Sequence, residues 1–353
     1  MNTEIIKIEE ENIDRQAIVR AGEIIRAGGL VAFPTETVYG LGGDALNASS
    51  SEKIYAAKGR PSDNPLIVHI AKMEALPFLV REVPKDACKL AERFWPGPLT
   101  MIFNKSKYVP AKTTGGLETV AVRMPSNKVA KAFIEEAGGY VAAPSANRSG
   151  RPSPTLAKYV IEDLDGRVEM IIDGGEAVIG LESTIVDLTE EKPMILRPGY
   201  VTAEMLASVI GNVETDRAIM DEACDKAPKA PGMKYRHYAP KGGLTIVEGQ
   251  AWQVEQYINE RLKECKAGGK KTGVIATDET ALHYQADSVK SVGKRKEKEQ
   301  IAKGLFRILR EFDDEDIQVI FAESFERQGV GAAIMNRLLK AAGHQVVTPE
   351  SKL

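Results

Sequence analysis

Residues 28–45 read GGLVAFPTETVYGLGGDA. Four apolar residues, Leu30–Phe33, follow two glycines and stop at Pro34, the signature of a short buried strand. Upstream, Ile18, Ala21 and Ile25 recur at helical spacing, so a helix is expected over Arg15–Ala27, closed by Gly28-Gly29. A helix feeding a strand that ends in a polar, glycine-rich loop is the unit of an α/β fold. Ligands of open α/β sheets dock where such loops leave the carboxyl ends of strands.

The rhythm continues outward from that stretch. Further strands are expected at Leu66–Ile70, Leu99–Phe103, Thr119–Arg123, Tyr140–Ala143, Met170–Ile172, Thr184–Leu188 and Met194–Leu196. Helices are expected at Ser51–Lys58, Lys85–Phe94, Lys128–Ala137, Ala157–Asp163 and Ala203–Ile210. These fill a first α/β domain over 1–211. Residues 212–241 lose the pattern and gather Pro228, Pro231, Gly232 and Pro240, which reads as a linker. Its end, MKYRHYAP, is too aromatic and basic for a passive spacer and suggests a segment that lies on something. Residues 242–353 alternate again, with strands Leu244–Val247, Thr272–Ala276, Val289–Val292, Val319–Ala322 and Gln345–Val347. Helices Trp252–Lys266, Lys298–Glu311 and Ala332–Ala342 lie between them. That order predicts a smaller, doubly wound sheet.

Composition limits the functions available. The 353 residues suffice for about two domains. Lys and Arg number 47 against 50 Asp and Glu, so the net charge of −3 calls for neither nucleic acid nor an anionic membrane as partner. The second block is balanced at 17 of each, and residues 1–215 carry 24 basic against 29 acidic side chains. Within the second block, KSVGKRKEKEQ reads as a solvated helix start rather than a binding patch. Cys88, Cys224 and Cys265 are far apart and form no metal-ligand spacing, so no resident metal site is expected and a reducing cytoplasm fits. The acidic start MNTEIIKIEEEN is not a secretory signal, and no apolar run is long enough to span a membrane. Neither GxxxxGK[ST] nor a post-strand GxGxxG occurs, so any nucleotide site must be built another way.

Chemistry-bearing residues gather in the first block. In PTETVYGLGGDA, Thr35 and Thr37 offer hydroxyls, and Gly40, Gly42 and Gly43 are either a turn or a place for a ligand to approach the backbone. In KGRPSDNPLIVH, Lys58 closes a helix, Gly59 can turn left-handed and Pro61 forbids continuation. Lys58, Arg60, Ser62 and Asn64 then alternate into a loop, and two cations beside hydroxyl and amide donors suit a polyphosphate. His69, inside an apolar strand, is either a satisfied core histidine or a ligand. Arg123, in TVAVRMP, must find an anionic partner, structural or substrate, because a lone buried charge is costly. Ser145 and Asn147 end a strand of small residues in YVAAPSANRSGRPSPT. Ser183 in GLESTIVDL and Arg197 in ILRPG are weaker signals alone.

Together these ordered motifs resemble the YrdC-like domain, and with PGMKYRHYAP and the second block the whole chain resembles the two-domain threonylcarbamoyl-AMP synthases. The resemblance implies an open, twisted mixed sheet with a concave face, joined to a Rossmann-like domain. It implies condensation of L-threonine, bicarbonate or CO2 and ATP into L-threonylcarbamoyladenylate and pyrophosphate. A separate tRNA threonylcarbamoyl transferase would then modify tRNA. Lys58, Arg60, Ser145 and Asn147 match the catalytic signature, with Mg2+ accompanying ATP. Ser62, Thr119, Arg197 and Tyr235, with Lys58 and Ser145, are the implied nucleotide contacts. Thr35, His69, Arg123, Ser183 and the Ala143 backbone are the implied threonine shell. A double-stranded RNA-binding module or a scaffold for the transferase is the alternative, and direct RNA contact would be weak.

Overall fold

The computed structural model describes residues 2–216 and 237–349. They divide into two compact units. The first contains residues 2–149 and 153–216, and the second contains residues 150–152 and 237–349.

The first unit is built on one eleven-stranded mixed sheet in the order β1-β8-β2-β3-β7-β4-β6-β5-β9-β10-β11. Its outer part comprises β1 (Glu4–Lys7), β8 (Met170–Asp173), β2 (Val31–Phe33) and β3 (Gly40–Asp44). The centre comprises β7 (Val141–Ala143), β4 (Ile67–His69), β6 (Thr119–Arg123) and β5 (Leu99–Asn104). The far side comprises β9 (Thr184–Asp187), β10 (Met194–Arg197) and β11 (Glu214–Thr215). β4 and β6 run parallel, while β7 lies antiparallel on β4 and β5 antiparallel on β6.

Local chemistry sets the helix ends. In α1 (Arg15–Arg26) the Asp14 carboxylate accepts from the amides of Gln16 and Ala17 and caps the first turn. The helix α2 (Ala48–Lys58) begins three residues ahead of expectation because Asn47 supplies its cap to Ser49. It ends at Gly59, whose φ of 62° is left-handed and turns the chain out of the helix directly after Lys58.

The glycine-rich GLGGD is not a turn but the strand β3, paired antiparallel with both β2 and β7. A Cβ on Gly42 would sit 2.8 Å from Val141 Cγ1 and 3.1 Å from the Phe33 ring. One on Gly43 would meet Ile54 at 3.1 Å. These glycines therefore make room for the protein's own apolar side chains, and the reading of them as a place of ligand approach is corrected.

Packing differs along the sheet. On one face Val68, Val122, Met101, Val186 and Ala142 join the main core with helix residues Leu90, Val160 and Leu206. On the other, α1 and α5 (Lys128–Glu136) cover Val31, Phe33, Val141 and Ala143 through Ile18, Ile25, Val129 and Phe133. Further along that face, Ile67, Ala121, Ile102, Ile185 and Leu196 form a small cluster that no helix residue joins. The polar residues of interest lie beside this cluster.

The second unit has five strands, all parallel, in the order β14-β13-β15-β12-β16. They are β12 (Gly243–Val247), β13 (Thr272–Ala276), β14 (Ser288–Ser291), β15 (Val319–Glu323) and β16 (Val346–Val347). Val254, Ile258 and Leu262 of α8 (Ala251–Ala267) pack with Val274. The neighbouring Gly273 faces Phe312 of α9 (Lys298–Asp314). Adjacent strand residues point to opposite faces, so the two helices lie on opposite sides of the sheet. The basic tract is tied up in ion pairs, Lys294 with Glu297, Lys298 with Glu326 and Arg295 with Glu323. Residues 150–152 count with this unit because buried Arg310 donates from Nε and Nη2 to the Pro152 carbonyl at 3.0 and 2.7 Å.

Candidate active site

Sheet register places three polar residues in one row. His69 is opposite Arg123, and Arg123 is opposite Thr100. Row partners project to one face, here the face of the small strand-only cluster.

Arg123 is 4% exposed. Its Nη2 donates to Glu36 Oε1 at 2.7 Å, its Nη1 to Thr37 Oγ1 at 2.9 Å, and its Nε to the Gly97 carbonyl at 3.4 Å. Thr35 shapes the loop that delivers these partners. Its hydroxyl donates to the Val38 carbonyl at 2.7 Å and lies 2.9 Å from Thr37 Oγ1. Burying an ion pair such as Arg123–Glu36 is favourable only where further hydrogen bonds satisfy its remaining donors and acceptors. Arg123 meets that condition with three of its five N–H groups. Glu36 does so through one oxygen, and its buried Oε2 has no hydrogen-bond partner among the described residues.

His69 Nδ1 lies 3.1 Å from the Ile67 carbonyl, to which it donates, and its ring meets the Phe33 ring edge-on at 6.0 Å. Burial pulls its pKa down to about 3, and the nearby Arg123 charge pushes the same way, against the carbonyls of Ile67 and Val141. The imidazole is therefore neutral at physiological pH.

On the other flank, Ser183 Oγ lies 2.7 Å from Thr100 Oγ1. Arg197 donates from Nη2 to Ser183 Oγ at 3.1 Å and from Nε to the Ser183 carbonyl at 3.0 Å. Gly199 in LRPG is required here because a Cβ would lie 2.4 Å from the Thr184 amide nitrogen.

A second constellation surrounds Lys58, only 2% exposed. Its ammonium donates to the carbonyls of Ser145 and Asn147 and lies 3.5 Å from Asn147 Oδ1. Ser145 Oγ donates to Asn147 Oδ1 at 2.5 Å, and the Ser149 amide returns to the Lys58 carbonyl at 2.9 Å. The PTET loop joins the same assembly, since Ala146 N donates to the Tyr39 carbonyl at 2.8 Å and Leu41 N to that of Pro144 at 2.9 Å. Three loops from distant parts of the chain are thus laced together by backbone bonds, with the Lys58 charge at their junction.

The structure thus brings Lys58, Ser145 and Asn147 together, and separately Thr35, His69 and Arg123, and Ser183 with Arg197. Arg60 is half-buried and donates to the Asn64 and Pro65 carbonyls of its own loop at 3.3 and 3.1 Å. Ser62 is exposed, Thr119 half-buried at the start of β6, and Ala143 buried at the end of β7. Tyr235 lies outside the described residues. Glu36 escaped the sequence reading. Its one signal was its place between two threonines in a loop leaving a strand.

Residues 23–199 match the Sua5/YciO/YrdC family described as Telomere recombination, and residues 201–343 match the C-terminal domain of threonylcarbamoyl-AMP synthase. The threonylcarbamoyl-AMP synthase of Pyrococcus abyssi is 50% identical over 345 residues, 98% of this chain and 99% of that one. That of Bacillus subtilis is 48% identical over 340 residues, 96% of each. The chain belongs to the threonylcarbamoyl-AMP synthase family. The crystal structure of Pyrococcus abyssi Sua5 complexed with L-threonine superposes with a TM-score of 0.93 at 49% identity, covering 99% of this chain and 100% of that one. The candidate residues from Thr35 to Arg197 fall within the first family match.

Proposed function

We propose that the chain is an L-threonylcarbamoyladenylate synthase, a nucleotidyltransferase that supplies tRNA threonylcarbamoylation. Threonine, bicarbonate and ATP would yield threonylcarbamoyl-AMP, pyrophosphate and water. The observation that carries the reading is the Lys58 ammonium buried at the junction of three laced loops, in the same unit as the Arg123 row.

In the adenylation step an oxygen of the threonine carbamate attacks the α-phosphorus of ATP. The bond from that phosphorus to the bridging oxygen breaks, and pyrophosphate leaves with its electron pair. Negative charge on the phosphoryl oxygens needs fixed cations and oriented donors. Lys58 supplies one cation, Arg60 a second at the adjoining loop, and Ser145 with Asn147 polar groups beside the first. Ser62, Thr119 and Arg197 are the remaining proposed nucleotide contacts. Arg123 is the proposed clamp for the threonine carboxylate, because its planar fork matches a carboxylate in two bonds. Neutral His69, Thr35, Ser183 and the Ala143 backbone complete the proposed threonine shell. No group of three His, Cys, Asp or Glu side chains among the described residues suits a resident metal. Mg2+ is accordingly proposed to arrive on the phosphates of ATP, where it usually keeps several waters.

No described helix is long and apolar enough to cross a membrane. A cytoplasmic setting, with a threonylcarbamoyl transferase as downstream partner, is part of the same proposal. Pyrophosphate release from ATP, with threonine and bicarbonate added singly and together, tests it. Release only with all three supports the proposal, and release independent of threonine overturns it.

A further inference from the structure

Arg123 and Glu36 form a buried pair of opposite charges, each less than a tenth exposed, joined at 2.7 Å. Three of the five guanidinium N–H groups are engaged, by Glu36, Thr37 and Gly97. Only one oxygen of the anion is: Glu36 Oε2 is buried and lacks a hydrogen-bond donor among the described residues. Buried acceptors are nearly always paired, and one left without a donor is a place to look for a ligand. Oε2 calls for a donor, preferably a cationic one.

An α-amino acid is a zwitterion. If its carboxylate enters the Arg123 fork, it must compete with Glu36, and an expelled Glu36 would be a buried charge without a partner. The amino acid brings its own remedy, an ammonium two bonds from its carboxylate. Exchanging one ion pair for two, Arg123 with carboxylate and Glu36 with ammonium, leaves no charge unpaired. A ligand with a carboxylate and no ammonium would leave Glu36 stranded.

We propose that Glu36 is a substrate-binding residue that receives the threonine ammonium and so selects amino acids over other carboxylates. The inference rests on the reading of Arg123 as the threonine clamp. In that arrangement the residue would also hold the amine toward the carbon of bicarbonate or CO2.

The test is calorimetric titration of the full chain with L-threonine and with the hydroxy acid in which a hydroxyl replaces the amino group. Wild type should prefer threonine. In Glu36→Gln the threonine affinity should fall about tenfold to a hundredfold, the range for a charged hydrogen bond. The hydroxy acid should bind that variant as well as or better than wild type, because no carboxylate contests Arg123. Equal loss for both ligands, or no loss for threonine, overturns the role of Glu36. If Glu36→Gln fails to bind ATP or to fold, Glu36→Asp decides. It should keep the preference for threonine at reduced affinity, and loss of that preference overturns the proposal. A wild type that binds no threonine refutes the functional reading itself, whereas an active wild type beside an indifferent Glu36→Gln refutes the role of Glu36 alone.

Discussion

The Lys58 ammonium lies 3.5 Å from Asn147 Oδ1 and donates to the carbonyl of the same residue, although 89 positions separate them in sequence. One side chain therefore fixes the spacing between the loop that closes α2 and the loop that leaves β7. A cation in such a position orders the loops and presents charge at their junction.

Replacing Lys58 should reveal both roles. In Lys58→Met the carbonyls of Ser145 and Asn147 lose a charged donor, at a stability loss of about 1–3 kcal/mol. The expected catalytic loss is larger, about a hundredfold or more in the rate of pyrophosphate release, because a transition-state cation disappears. Threonine affinity, measured separately, should stay within about twofold. A variant as active as wild type would remove Lys58 from the chemistry.

Arg123 permits a double-mutant comparison. Arg123→Met strands Glu36 as a buried charge and should lower stability by about 3–5 kcal/mol. Adding Glu36→Gln removes that charge and should restore much of the stability, while threonine-dependent activity stays lost. Denaturant unfolding of both single variants and the double variant gives the coupling. Additive losses would mean that the pair contributes nothing as a pair.

His69 predicts an acid limb in stability. Its folded pKa, pulled down to about 3 by burial and by Arg123, lies below the unfolded value near 6.5. The unfolded chain therefore binds the extra proton first. The stabilisation is complete above about pH 6.5 and is lost as pH falls toward the folded pKa. At pH 5 the loss from this residue is about 2 kcal/mol relative to pH 7. The difference in unfolding free energy between pH 7 and pH 5 should shrink by that amount in His69→Gln. An unchanged difference would mean that His69 titrates normally.

Serine should be a measurable alternative substrate. It lacks only the threonine methyl, and one methyl in an apolar pocket distinguishes ligands by about 1–3 kcal/mol. Competition between serine and threonine for adenylate formation should show a preference of about tenfold to two-hundredfold. Discrimination above about a thousandfold would require a mechanism beyond pocket fit.

Much of this was legible in the sequence because strands such as VAF, IVH and TVAVR are apolar runs with hard stops. The two strands missed before and after β2 in the chain explain themselves. EIIK, the edge strand β1, is mostly exposed and carries no burial pattern, and GLGGD presents no side chains from which a period can be read. In the site, spacing exposed Lys58 with Arg60 and Ser145 with Asn147, since each pair is local. Glu36 stayed hidden because an acidic residue in a loop looks solvated, and what buries it is Arg123, 87 positions away. Long-range pairing of charges leaves no periodic trace.

Gly42 offers a direct test of why β3 is glycine-rich. Its backbone is extended, so an added Cβ meets no torsional penalty, only neighbours: Val141 Cγ1 at 2.8 Å, the Phe33 ring at 3.1 Å and the Val31 carbonyl at 3.2 Å. The Phe33 ring and the Val31 carbonyl belong to β2 and the Val141 methyl to β7, the strands paired on either side of β3, so no flexible tip can yield. Overpacking of this kind lowers stability by about 1–3 kcal/mol, and thermal unfolding of Gly42→Ala should fall by about 2–4 °C per kcal/mol in a unit of this size. Gly59 is the control with the opposite cause. Nothing lies within 4 Å of its Cβ position, and its φ of 62° is the entire obstacle. Gly59→Asn, which tolerates that conformation better than alanine, should therefore be milder than Gly59→Ala, whereas at position 42 asparagine should be worse than alanine because it is larger. If Gly42→Ala instead kept its Tm and lost ATP or threonine binding, the glycine would serve a ligand rather than the packing of Phe33 and Val141.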